Sequence, residues 1–411
     1  MEKEYTPSKK ILEKYADVLV NFALNEGKPL KKGAVVRVVC PEVAKPLYRE
    51  VCVAVWKRGG HVLPFFVPST DAKYNISKDF YTHAQKHQLE FFPEKYWKAF
   101  AEVIDHSIYI ISETDKDELK GVDTKKIMKI GEARKPLFDW LSDKEDKENF
   151  TWTLALYGTQ SMAQEAGLSQ KDYWAQIIKA CFLNKKDSKE EWKKTLRSLR
   201  TIQEKLNDLC IDTMHIEGPD IDLHIGLSPK SAWQAGTGRN IPSFECFTSP
   251  DWRRTEGWVR FSEPLYRYGN KIEGIELRFK KGKVIKSSAT KNEKVLKAMI
   301  ATKNADKVGE YSLTDARMSK ITKFMGETLY DENTGGVYGN THLALGNAYR
   351  SGCYKGDASK VKKSEWEKLG YNESSVHTDI ISTTRRTVTA ILQDGREMII
   401  YKDGKFTFPI S

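Results

Sequence analysis

The sequence predicts an α/β N-terminal domain with a mostly parallel sheet, followed by a strand-rich α+β C-terminal domain. Three observations carry this. Helix-like and strand-like patterns alternate through the first half. A long helical stripe from Asp187 to Cys210 then closes that region. Past Asp212 the texture changes to short alternating strands joined by hairpin turns. Parallel strands need crossover connections, so β-α alternation is the mark of a parallel sheet covered by helices. A boundary near residue 212 divides the chain into 1–212 and 213–411.

The elements follow in order. Ile11, Leu12, Tyr15, Ala16, Leu19 and Phe22 recur at helical spacing, and Gly27 supplies a stop. Ala34 to Cys40 reads as a strand closed by Pro41. Pro46 to Arg58 reads as a helix ended by Gly59-Gly60, and His61 to Val67 as a further apolar strand. Pro93 to Ile104 is expected to be helical; Ser107–Ile111 and Phe150–Tyr157 are strand-like. Neither GxGxxG nor GxxxxGK[ST] occurs, and Gly59-Gly60 follows a helix, the wrong context for a phosphate cradle. The first half therefore reads as a scaffold or oligomerisation domain without a nucleotide cofactor. His61, His83, His87 and His106 lack partnered carboxylate motifs and read as structural or exposed. Trp192, Leu196, Leu199, Ile202, Leu206 and Leu209 form one stripe of the helix that ends this half.

In the second half, Thr213–Glu217 and Ile221–Ile225 alternate as strands. Ile275–Phe279 and Val284–Lys286 flank a Lys-Lys-Gly-Lys turn, and Val388–Leu392 and Met398–Tyr401 flank Asp394-Gly395. A helix is expected near Asn292 to Thr302.

The 411 residues suffice for two or three domains, and 40% hydrophobic content is that of a globular protein. No run approaches the roughly 20 apolar residues of a membrane span. Met1-Glu2-Lys3-Glu4-Tyr5 has no signal-peptide core. Six scattered Cys without CxxC spacing point to reduced thiols and a cytoplasmic setting. The formal charge of +11 is spread along the chain among Asp and Glu, which argues for solvated faces and against a specific nucleic-acid partner.

The candidate chemistry lies past residue 212. His377-Thr378-Asp379 sits in strand-like sequence, and residues two apart on a strand share a face. An imidazole and a carboxylate side by side suit a divalent metal. Glu245 and Glu310 each stand as an acid in an apolar run, where an unpaired carboxylate is costly and calls for a cation or strong donor. His342 is a histidine in another such run. Tyr349 follows by seven residues, two turns if that segment is helical. Two Glu, two His and one Asp match Zn²⁺, Co²⁺ or Mn²⁺. Two metals sharing a bridging carboxylate are characteristic of amide and phosphate-ester hydrolases.

These segments resemble the thermophilic-type metalloaminopeptidases, the group of aminopeptidases T and S. The motifs are Asn240-Ile241-Pro242, Glu245-Cys246-Phe247-Thr248-Ser249-Pro250, Thr255-Glu256-Gly257, Leu329 to Asn333, His342 to Gly346 with Tyr349, and His377-Thr378-Asp379. Their order and spacing match together over most of the chain. The resemblance implies a two-domain homodimer acting on peptide substrates. It also implies a two-metal site with Glu245, Glu310, His342, His377 and Asp379 as ligands, Glu310 as the candidate bridge, and Tyr349 as a catalytic side chain. Glu332 is kept as a sixth ligand. It precedes His342 by ten positions, further than in the family, so residues 334–340 read as a small insertion. Phe244 stands where the family carries Gly, and a narrower pocket is expected there. The rival readings are a two-metal phosphoesterase and a non-catalytic basic binding protein with a decayed site.

Overall fold

The computed structural model describes residues 5–71 and 73–410. Met1 to Glu4, used above in reading the N-terminus, lie outside the described residues.

The first half forms a five-stranded parallel sheet in the order His61–Val67, Val35–Pro41, His106–Ile111, Thr151–Leu156, Asn240–Ile241. Helices Lys45–Lys57 and Glu94–Val103 match the periodicity in the sequence. Lys9–Val18 is also helical and passes into a π-helical turn at Leu19–Ala23. The helix Thr124–Asp146 has no counterpart in the sequence reading. Pro136, a helix breaker by composition, lies inside it, and charged residues obscure its apolar face. The last sheet strand, Asn240–Ile241, returns from beyond residue 212 to pair with Leu154 and Ala155.

Helix Ser188–Asp208 begins where the Asp187 side chain accepts from the backbone N–H groups of Lys189 and Glu190, satisfying donors that have no intrahelical partner. Its buried stripe of Trp192, Leu196, Leu199, Ile202 and Leu206 packs against strands Trp233–Ala235 and Glu245–Thr248. Trp192 meets the rings of Phe182 and Phe244 at centroid distances of 5.0 and 5.6 Å. Phe244 is thus a core residue and does not narrow the pocket, contrary to expectation: its ring is sealed against the helix.

The second half carries two large antiparallel sheets and a two-stranded one, Leu265–Arg267 with Asn270–Ile272. One has eight strands and includes both predicted hairpins, Glu276–Lys280 with Lys283–Ser288 and Thr387–Leu392 with Glu397–Lys402. The other has five, in the order His377–Ser382, Asn340–Gly346, Val308–Thr314, Glu245–Thr248, Trp233–Ala235. The expected helix appears at Glu293–Ile300.

Candidate metal centre

The five-stranded antiparallel sheet holds the candidate ligands by register. Glu245 pairs with Thr314, His342 with Ser312, Asp379 with Ala344, and His377 with Gly346, while Glu310 pairs with Ala344. Side chains alternate across a strand, so Glu245, Glu310, His342, His377 and Asp379 all project from one face. The opposite face carries Cys246, Tyr311, Leu313, Leu343 and Ile380 into the core. Strand alternation therefore separates a polar cluster from an apolar one, with a bulge between Val308 and Glu310 setting the start of the polar face.

Within the cluster, His342 Nε2 lies 3.3 Å from Glu310 Oε1 and 3.3 Å from Glu245 Oε2. His377 Nε2 lies 3.4 Å from Glu310 Oε2 and 3.5 Å from Asp379 Oδ1. Glu310 thus turns one oxygen to each imidazole. These contacts are longer than normal hydrogen bonds, and Asp379 Oδ1 is buried with no hydrogen-bond partner among the described residues. Two donors, each about 2.1 Å from a shared tetrahedral ion, stand roughly 3.4 Å apart. The observed spacings fit that separation.

Supporting contacts orient the ligands. His377 Nδ1 lies 2.8 Å from the Asn347 carbonyl; donating there frees Nε2 as an acceptor, the arrangement typical of metal-ligating histidine. Ser312 Oγ donates to Glu245 Oε2 at 3.1 Å. Glu332 arrives from another direction, at the C-terminal end of the short helix Thr328–Asp331. Its Oε1 accepts from Asn240 Nδ2 at 2.9 Å. Glu332, His342 and Asp379 bring ligand atoms within 4.8 Å of one another. The 334–340 segment therefore leaves Glu332 in the cluster.

The electrostatics are those of an over-acidic buried pocket. Burial first, then Glu310 and Asp379, lift the Glu245 carboxyl to about 7 against the pull of His342. Burial, then Asp379, Glu245 and Glu310, push Glu332 well above the usual carboxylate range. Burial disfavours a charged His342, but Glu310, Glu245 and Asp379 outweigh it and hold the imidazole up to about 9. Burial likewise opposes ionisation of Asp379, yet His377, then His342 and Arg267, draw it down to about 2. Four carboxylates thus crowd around two imidazoles, and divalent cations would supply the missing positive charge.

Tyr349 lies in the loop after strand Asn340–Gly346. The helical relation to His342 considered from the seven-residue spacing does not hold, because the segment is a central strand. Tyr349 nevertheless reaches the cluster, its ring edge-on to His377 at 5.0 Å. Its backbone N–H donates to Ser249 Oγ at 2.9 Å. Its phenol has no protein hydrogen-bond partner among the described residues.

All seven residues singled out from the sequence line one cavity of about 280 Å³. The first half supplies much of the opposite wall through Glu26, Glu145, Glu148 and Trp152. Sequence reasoning missed these, since nothing local marks a residue that reaches a site built by strands roughly a hundred or more positions away. Arg239 stands at the same wall, its Nε donating to Glu145 Oε1 at 2.9 Å.

Comparison with known proteins bears on family and fold. The model of a family described as thermophilic metalloprotease (M29) matches residues 8–406. Aminopeptidase PepS of Streptococcus thermophilus is 28% identical, covering 96% of this chain and 98% of its own. Aminopeptidase T of Thermus thermophilus is 27% identical, covering 97% and 98% respectively. A solved structure of wild-type aminopeptidase T from Thermus thermophilus superposes with a TM-score of 0.79, covering 97% of this chain and all of that one at 24% identity. A 2,5-dihydroxypyridine dioxygenase from Pseudomonas putida aligns at a TM-score of 0.52 and 13% identity, covering 98% of this chain and 99% of its own, a likeness of fold alone. With a family model matching nearly end to end, the chain belongs to the thermophilic metalloprotease (M29) family.

Proposed function

We propose that the chain is a metal-dependent aminopeptidase that removes N-terminal residues from peptides at a two-metal centre held by Glu245, Glu310, Glu332, His342, His377 and Asp379. The observation that carries this reading is Glu310, with one carboxylate oxygen toward His342 and the other toward His377. When bound, Zn²⁺, Co²⁺ or Mn²⁺ would polarise the scissile carbonyl and acidify the attacking water.

The protein's own groups do the rest. Glu310, between the two imidazoles, is our assignment for the carboxylate that takes the proton of the attacking water. The Tyr349 hydroxyl, without a hydrogen-bond partner among the described residues, donates to the oxyanion that develops on the carbonyl. Glu148 and Glu26 add negative charge to the cavity wall, where Glu145 is paired with Arg239, and favour a protonated peptide amine. A cavity near the lower end of the usual 300–1,000 Å³ range admits a chain terminus more readily than a chain interior. The same wall disfavours the phosphoesterase reading: the lining holds one guanidinium, Arg239, already paired with Glu145.

We further read the chain as two units meeting near residue 212, as a homodimer, and as cytoplasmic. Phe65, Phe66 and Val67 stand exposed on the edge strand of the first sheet, the kind of surface a second copy would cover. All six cysteines are free thiols, five of them buried. Among the described residues no helix is long and apolar enough to cross a membrane.

The test is hydrolysis of an aminoacyl anilide and its N-acetylated analogue, before and after chelation, by wild type, His377→Ala and Asp379→Ala. Wild type should cleave only the free amine, lose activity on chelation and regain it with added metal. Both variants should be folded, metal-poor and inactive. Full activity in metal-free protein, or equal cleavage of the acetylated analogue, defeats the proposal.

A further inference from the structure

A second cluster of metal-binding side chains stands on the eight-stranded sheet, and none of its members lines the cavity. Strands Ile211–Gly218 and Ile221–Gly226 pair antiparallel, with His215 opposite His224 and Glu217 opposite Asp222. Residues two apart share a face, so these four side chains form a square on one side of the sheet. The two imidazole rings lie nearly parallel, 4.0 Å apart with 8° between their planes. His215 Nε2 is 2.9 Å from Asp222 Oδ1, and Nδ1 is 3.6 Å from Glu217 Oε2. One donor atom from each of His215, Asp222 and His224 falls within 4.8 Å of the others. The cluster is open to solvent: the His215 side chain is 26% exposed and that of Asp222 63%.

This arrangement is unfavourable for two charged imidazoles. On the neighbouring strand, Glu256 pairs opposite His224 and Trp258 opposite Asp222, while Thr389 lies opposite His215 on the other side. These immediate strand neighbours are acidic or neutral; the cations Arg278, over the Trp258 ring, and Lys402, opposite Thr387, stand one strand further out on this face.

We propose that His215, His224 and Asp222 bind one divalent transition-metal ion, with zinc the best match, as a clamp across the two strands. Two neutral imidazole nitrogens and a carboxylate are borderline donors that suit zinc, whereas magnesium and calcium call for sets of oxygens. Donors about 2.1 Å from a common ion sit roughly 3–3.5 Å apart. The His215–Asp222 pair already has that spacing, and a small ring rotation brings in His224. A water completes the tetrahedron, while Glu217, 3.6 Å from Nδ1 on the other side of the His215 ring, orients that imidazole. This site is independent of the proposed catalytic centre.

The test uses the full chain, stripped with a chelator and dialysed against Zn²⁺. Metal content is measured for wild type, His224→Ala and His215→Gln. Each variant should hold one zinc per chain fewer than wild type, while its rate on an aminoacyl anilide stays within about twofold. Melting of the metal-free proteins checks that the variants fold. Zinc-edge anomalous diffraction on wild-type crystals needs no variant and should show a peak between the rings of His215 and His224. Equal zinc content in all three proteins, or an anomalous map with no peak at those rings, overturns the assignment.

Discussion

Replacing Tyr349 by Phe removes a single oxygen from the cavity. The structure permits a separation of effects. The ring stays wedged between Phe247 and His377, at centroid distances of 5.6 and 5.0 Å, and the backbone stays tied to Ser249. The lost hydroxyl has no hydrogen-bond partner among the described residues, so the roughly 0.5–1.5 kcal/mol of a structural hydrogen bond is not forfeited. The melting temperature and metal content should therefore match wild type. What disappears is a donor to the oxyanion, about 2.7–4 kcal/mol of stabilisation present only in the transition state. That corresponds to a fall of about 100- to 1000-fold in kcat and kcat/KM together, with KM little changed. Burial, with Glu310, Asp379 and Glu332 nearby, raises the phenol pKa well above its ordinary value, so it remains a donor throughout the working pH range. Steady-state kinetics on an aminoacyl anilide, with metal measured in the same samples, is the assay. A metal-replete Tyr349→Phe enzyme with wild-type kcat would refute the role. Loss of metal would make the hydroxyl a support for the ligands instead.

Asn240→Ala removes the nearest donor to Glu332, and metal affinity should weaken by about 10- to 100-fold, read from activity against free metal concentration. Phe244→Ala should cost about 3–5 kcal/mol of stability through the void left beside Trp192 and Phe182, measured by denaturant unfolding, with no gain in tolerance for bulkier substrates. His106 is buried against Thr151, and burial, the largest influence, draws its pKa down to about 4. The unfolded chain takes up that proton near pH 6.5 and the folded one only near 4. Stability should accordingly drop as pH falls between those values, by on the order of 3 kcal/mol at most. His106→Asn should flatten that part of the stability profile in melts between pH 7 and 4.

How far the sequence reaches depends on the range over which each signal acts. The His377–Ser382 strand was legible because alternation is local and its polar members fall two apart. The hairpins around Gly282 and Gly395 were legible from turn residues alone. The segment around His342 was ambiguous. All seven residues of Asn340–Gly346 are buried, and a strand covered on both faces loses the alternation that separates it from a buried helix. Phe244 was misjudged because its neighbour Glu245 faces the cavity. Adjacent residues on an extended chain point opposite ways, and here only the fold says which way is in. The Thr124–Asp146 helix and its contribution of Glu145 escaped notice altogether. Their meaning depends on partners roughly a hundred positions away, including Arg239.

Asn240 belongs to two structures at once. Its backbone is the last strand of the parallel sheet, and its side chain holds Glu332. The two halves are thus joined by a rigid strut as well as by covalent chain. A rocking motion of the first sheet would tug on a carboxylate of the reaction centre, so the stiffness of a region remote from chemistry sets how tightly that carboxylate is aimed. A fragment beginning at residue 213 would keep every candidate ligand but lose the anchorage of this strut. Its Glu332 would swing on a loose tether, and the separated half would be a slack version of the intact site.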